Sequence, residues 1–210
     1  MSKHKGSNKE MADNTRQRFI DKAHDRFITE GYVATSTNDI VRDAEMARGA
    51  LYHHFKNKEE LFAAVVTDKI KSMSALMDAG LKKRACCGTN DPQEDFLSTL
   101  DLIVDLFKDP AYRRIIVIES LVALPHAIRR QTMLDYYRPI CLNFLERINM
   151  TKSAPEGVIN AFIIGLIGFL AESVRSFEYT MSEEESTEQA ESIKAALRLI
   201  LIPFINQYRK

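Results

Sequence analysis

The side chains with the most chemistry to offer lie in one short run, Arg48-Gly49-Ala50-Leu51-Tyr52-His53-His54. In helical register Leu51 and the following Phe55 turn inward, while Arg48, Gly49, Ala50, Tyr52 and His53 turn outward. Arg48 has the fork to hold a guanine edge or a phosphate, and Ala50 offers a methyl to a thymine methyl. Gly49 lets one backbone approach another closely. Tyr52 and His54 suit phosphate oxygens, which fix register without reading sequence. This is the chemistry of a duplex groove. Metal chemistry fits worse: adjacent histidines on a helix point about 100° apart, and no carboxylate or cysteine stands four residues from either in a ligand pattern. Neither a metal nor a cofactor is expected.

A helix this short cannot hold itself together in water, so its neighbours must clamp it. Ser36-Thr37-Asn38-Asp39 opens a preceding short helix with a capping-box pattern, and Ile40, Val41 and Ala44 form its inner face. Glu45-Met46-Ala47 makes the turn, with Met46 as an apolar plug. Asn57-Lys58-Glu59-Glu60 caps and opens the next helix. Lys58 stands in its first turn, where the helix dipole prefers an acid, which points to an outside anion. Upstream, Phe19, Ile20, Ala23 and Phe27 give a bracing helix over about 14–30, closed by Gly31 as a C-cap. The pattern is a helix-turn-helix, whose second helix enters the major groove.

The run Leu51-Tyr52-His53-His54-Phe55-Lys56-Asn57-Lys58-Glu59-Glu60-Leu61-Phe62, with Thr37, Asp39-Ile40, Ala44 and Gly49 before it, resembles the signature of the TetR family of transcriptional regulators. The close match covers roughly residues 15–65. The resemblance implies that Thr37, Asn38, Arg48, Gly49, Ala50, Tyr52, His53, His54 and Lys58 face DNA. It also implies a homodimer on a palindromic double-stranded operator and a small-molecule effector that releases a repressor. Two departures stand out. Relatives mostly carry Gly where this chain has Glu45, and Ser or Thr where it has Ala47. A left-handed Glu45 costs on the order of 1–2 kcal/mol, and a missing capping hydroxyl costs about 1 kcal/mol. They leave an alternative open: a helical interaction module that kept the fold and lost or weakened DNA binding.

Charge adds little. The 210 residues balance 29 Lys and Arg against 29 Asp and Glu, and residues 1–58 carry a net charge of only +3. Met1 to Asn14 is polar and lacks the apolar core of a secretory signal. The longest apolar stretch, Gly157 to Ala171, is interrupted by Asn160 and reads as short of a bilayer span. No membrane partner is expected, and the chain reads as cytoplasmic. Cys86, Cys87 and Cys141 lack metal spacing and read as reduced thiols. Cys86 and Cys87 are expected in a loop beside Gly88, where a redox role is conceivable.

No segment alternates in the manner of a strand, so the expected fold is all-α. It comprises an N-terminal three-helix helix-turn-helix bundle and a larger C-terminal helical bundle for ligand binding and dimerisation. The expected divisions are a disordered basic tail over 1–13, a DNA-binding domain over 14–57, a connecting helix over 58–84 and an effector and dimer domain over 85–210. Caps and prolines mark further helices over about 92–108, 110–123, 126–149, 154–179 and 183–208, with Pro139 and Pro203 inside two of them. Helix 154–179 is apolar nearly all round, which calls for burial on two sides. With 183–208 it suits a four-helix dimer interface. Phe107, Met133, Tyr136, Tyr137, Cys141, Phe144 and Phe162 form a candidate effector pocket, or else plain core, with Arg113 and Glu119 as candidate polar selectors. Scattered histidines and the lack of a Gly-rich phosphate loop argue against an enzyme, and no catalytic residue is expected.

Overall fold

The computed structural model describes residues 3–87, 91–177 and 181–208, and their side chains except at 3–7 and 84–87. All regular structure among them is helical. The chain forms two compact units: one comprises residues 1–69 and 114–128, the other 70–113 and 129–210.

In the smaller unit, α1 (Lys3–Thr29), α2 (Thr37–Ala44) and α3 (Arg48–His54) lead into α4 (Lys58–Cys87). Phe19, Ala23 and Phe27 of α1, Ile40 and Ala44 of α2, Leu51 of α3, and Leu61 and Phe62 of α4 are fully buried. The ring of Phe62 meets Phe27 edge-on at 5.0 Å, and Tyr32 joins them at 5.0 Å from Phe62. Arg26 of α1 reaches Asp43 of α2 through two hydrogen bonds, 2.5 and 3.0 Å, and fixes the first short helix on the bracing one.

The local signals appear where the residues place them. Ser36 Oγ accepts from the Asp39 N–H at 3.2 Å, and Asn57 Oδ1 accepts from the Glu60 N–H at 2.8 Å. Gly31, at φ +85, closes α1. The start of α1 differs from expectation: the helix begins at Lys3, where a disordered tail was expected. Residues 8–14 are exposed there. A helix already nucleated by its packed part extends at little cost through Lys, Glu, Met and Ala.

In the larger unit, α5 (Pro92–Leu106) lies along α11 (Glu183–Tyr208). Arg198 forks onto Asp101 at 2.7 and 2.6 Å, and Lys194 reaches Asp105 at 2.8 Å. Phe96 of α5 stacks on Phe144 of α8 (His126–Arg147) with ring centroids 3.8 Å apart. Asp91 caps α5, Asp109 caps α6 (Pro110–Tyr112), and Ser182 with Glu185 forms a reciprocal box on α11. The run Ser153-Ala154-Pro155-Glu156 has the spacing of a capping box, but no box forms there. Pro155 is the N-cap of α10 (Glu156–Arg175) and offers no side-chain acceptor. Ser153 instead ends α9 (Met150–Ser153) and donates to the Tyr208 carbonyl at 2.9 Å. The expected helix over 110–123 is interrupted by a π-helical stretch, Arg113–Glu119, before α7 (Ser120–Ala123).

The α10 helix is buried on one side only, through Ile159, Ile163, Leu166 and Val174, while Ile164 is 44% exposed. A Cβ added at Gly157, Gly165 or Gly168 would meet nothing within 4 Å. By length and composition α10 also reaches the span of a bilayer, which the stretch Gly157–Ala171 was expected to miss. The helix exceeds that stretch by Glu156 at its start and residues 172–175 at its end. Cys86 and Cys87 end α4 rather than lying in a loop, and their side chains fall outside the described residues.

Candidate nucleic-acid interface

Leu51 is the one residue of α3 that is fully buried, and Phe55 directly after the helix is buried with it. These two anchors leave the opposite face free. Arg48, Gly49, Tyr52 and His53 are exposed, and Ala50 and His54 are half-buried. Tyr52 links the two short helices, its hydroxyl lying 3.3 Å from Thr37 Oγ1. The Arg48 guanidinium lies over the Tyr52 ring, 5.5 Å from its centroid. The hydrogen bond with Thr37, and then Arg48, holds the Tyr52 hydroxyl below the usual phenol range. A more acidic phenol donates more strongly to an anionic oxygen. Asn38, next to Thr37, is exposed in the first turn of α2.

At the far end of α3, the His53 and His54 rings meet edge-on with centroids 5.3 Å apart. Burial, and then the charges of His53 and Arg16, keep His54 below the ordinary imidazole value. No group of His, Cys, Asp or Glu among the described residues is arranged to hold a metal. Arg16 was not singled out in the sequence. Its guanidinium sits 5.0 Å over the Phe55 ring, so α1 brings a cation to the end of α3. Its place three residues before Phe19, on the side of α1 that meets α3, was the available signal. Lys56 is exposed beside it.

Lys58 is engaged differently from expectation. Its ammonium donates to the carbonyls of Tyr32 at 2.8 Å and Thr35 at 3.0 Å, and lies 4.3 Å over the Tyr32 ring. Neutral carbonyl oxygens of the turn between α1 and α2 accept the hydrogen bonds of this ammonium. Lys58 therefore ties that turn to α4.

Both departures in the helix-turn-helix are visible. Glu45 is left-handed at φ 53, ψ 43, and pairs with Arg18 at 3.3 Å on the surface. Ala47 caps α3 without a side-chain bond. Met46 is half-buried between the helices.

The candidate effector residues make several different contacts. Phe144 stacks on Phe96, whereas Phe162 stacks on Phe204 of α11, 4.8 Å away. Tyr137 is half-buried; its hydroxyl donates to Met73 Sδ at 3.8 Å and is pushed well up by desolvation. Cys141 is buried and its thiol is pushed up to about 12. Phe107 is buried and Met133 and Tyr136 are half-buried. The Phe96–Phe144 stack is core packing, whereas Phe162 and Phe204 are half-buried. The two candidate selectors have different surroundings. Arg113 is buried against the carbonyls of Phe107 and Lys108, whereas Glu119 belongs to the smaller unit.

Residues 19–65 match the family of bacterial regulatory proteins named for TetR, through its N-terminal domain. The chain is 31% identical over 94 residues to the HTH-type transcriptional regulator QacR of Staphylococcus aureus, covering 45% of this chain and 48% of that protein. It is 30% identical over 103 residues to the HTH-type transcriptional repressor AcnR of Corynebacterium efficiens, covering 48% and 55%. The chain thus spans about half the length of these curated relatives. The fold extends further: a TetR-family transcriptional regulator from Pectobacterium atrosepticum superposes with a TM-score of 0.67 at 24% identity, covering 91% of this chain and 94% of that one. Residues 19–65 thus carry the N-terminal domain sequence of the TetR family of bacterial regulatory proteins, and the chain as a whole has the helical fold of the solved TetR-family regulator.

Proposed function

We propose that this chain is a homodimeric transcriptional regulator that binds a palindromic operator and is released from it by a small molecule, most often to lift repression. The observation that carries the reading is the anchoring of α3. Leu51 and Phe55 are buried while Arg48, Gly49, Tyr52 and His53 stay exposed on the other side, which is the arrangement a groove-reading helix needs. Thr37, Asn38, Ala50 and His54 complete the contact surface, flanked by Arg16 and Lys56, with Lys58 bracing it from behind. Arg48 reads base edges, and Tyr52 with Thr37 fixes the phosphate register. Residues 14–57 act as the reading head, 58–84 as the connecting helix and 85–210 as the effector and dimer part. Catalysis has no place in this reading, and its site of action is the cytoplasm.

Dimerisation through α10 and α11 is supported by the exposed apolar side of α10 and by Gly165 and Gly168, which nothing inside the protomer requires. One apolar helix of this length also satisfies the criterion for a membrane span, but a helix across a two-fold interface has the same composition. The strained Glu45 and the uncapped Ala47 favour a second reading, an interaction module with weakened DNA binding. Selecting bound fragments from a random duplex pool separates the two. A regulator enriches a two-fold symmetric sequence, with half-sites about one helical turn apart, and its affinity falls steeply with salt. A module enriches none.

A further inference from the structure

Glu119 lies far from the helix-turn-helix in sequence, yet its Oε2 accepts from the Tyr32 N–H at 2.9 Å, in the turn between α1 and α2. Its Oε1 is 3.4 Å from Arg114 Nε, and Arg114 Nη1 donates to the Thr29 carbonyl at the end of α1, 3.3 Å away. The two side chains are largely shielded, 12% and 20% exposed. From α4, Lys58 holds carbonyls of the same turn. The turn is therefore gripped at an N–H by a carboxylate and at its carbonyls by an ammonium. Gly31 fits this grip on two counts. Its φ is +85, and a Cβ there would come within 2.8 Å of Glu119 Oε1 and 3.0 Å of Arg114 Nη2.

Arg114 and Glu119 are five residues apart inside the single π-helical stretch among the described residues. In an α-helix, residues five apart are rotated about 140° from each other and do not meet. The i→i+5 winding of a π-helix brings them to one side, and such turns recur at functional sites. The preceding residue, Arg113, is buried and donates to the Phe107 and Lys108 carbonyls at 2.8 and 2.7 Å.

We propose that Glu119 is a positioning residue for the reading helix, brought to Tyr32 by the π register of 113–119. A return of that stretch to α register turns Glu119 away and frees the turn that leads into Thr37 and α2. This rests on the reading of residues 48–54 as the DNA-contacting surface.

The test uses full-length Glu119→Ala, Glu119→Gln and Arg114→Ala proteins, the duplex recovered by selection, and amide hydrogen exchange of the free proteins. Glu119→Ala speeds exchange at Tyr32 and weakens the duplex about tenfold, within the range of allosteric couplings, with the oligomeric state unchanged. Glu119→Gln keeps an oxygen for the Tyr32 N–H and restores most of the protection. The Arg114→Ala, Glu119→Ala double variant loses less than the product of the two single losses, because the pair acts as a unit. Unchanged duplex binding and unchanged Tyr32 exchange in Glu119→Ala overturn the proposal, as does a loss of protection spread evenly over the chain. Purely multiplicative losses overturn the π register. A wild-type protein that binds no duplex removes the functional reading instead, and exchange at Tyr32 still decides whether Glu119 holds the turn.

Discussion

Glu45 shows how one residue can be out of place without breaking the motif. It sits at φ 53, ψ 43, where a side chain costs on the order of 1 kcal/mol relative to glycine. Its pair with Arg18 returns little, since the two side chains are 49% and 82% exposed. Glu45→Gly is expected to raise the urea midpoint by an amount equivalent to about 1 kcal/mol; a lower midpoint would give Glu45 a positive role. His24 sets a pH dependence in the same unit. Burial, then Lys69, lowers its pKa below 6.5, against the hydrogen bond with Asp25. A histidine with a depressed folded value binds fewer protons folded than unfolded. Its contribution is therefore present above pH 6.5 and is lost as pH falls from there through the lowered value. Unfolding followed between pH 7.5 and 5.5 should show this loss, and His24→Gln should flatten it.

Among the elements, those legible in the sequence were the ones whose signals are local. The starts of α2, α4, α5 and α11 follow from Ser36, Asn57, Asp91 and Ser182, because a cap is decided within one turn. Leu51 and Phe55 were readable as anchors from spacing alone. The π stretch was not, because nothing in Arg113–Glu119 announces i→i+5 winding; its partners Thr29 and Tyr32 are more than eighty residues away. The hydrogen bonds of Lys58 are illegible in the sequence for a related reason: the carbonyls that accept them belong to the turn between α1 and α2. The effector stripe on α8 is ambiguous for a different reason, since a pocket lining and a packed core have the same composition; of its residues, Phe144 stacks on Phe96. At this scale α3 lacks a side-chain cap. Ala47→Ser should stabilise it by about 1 kcal/mol, visible as slower amide exchange in residues 48–51. Unchanged exchange would mean that packing alone sets the start of α3.

At the scale of the whole molecule, the proposed function assigns the outer face of α3 to duplex DNA and the apolar side of α10 to a second protomer. Gly165 has open space around it in the protomer, so Gly165→Gln should leave the helical signal intact. Overpacking at an interface typically costs about 1–3 kcal/mol, so the same change should loosen the dimer by roughly tenfold or more in sedimentation equilibrium. An unaltered self-association would move the interface off this part of α10.

The most direct test of the α3 surface is a salt-controlled duplex titration of wild type beside the Arg48→Ala, Tyr52→Ala double variant. The account predicts that the wild type binds its selected duplex with strong salt dependence, while the variant, still dimeric and folded, loses binding by a hundredfold or so, as expected from about 1–3 kcal/mol per base or phosphate group removed. Equal binding by both proteins would contradict it.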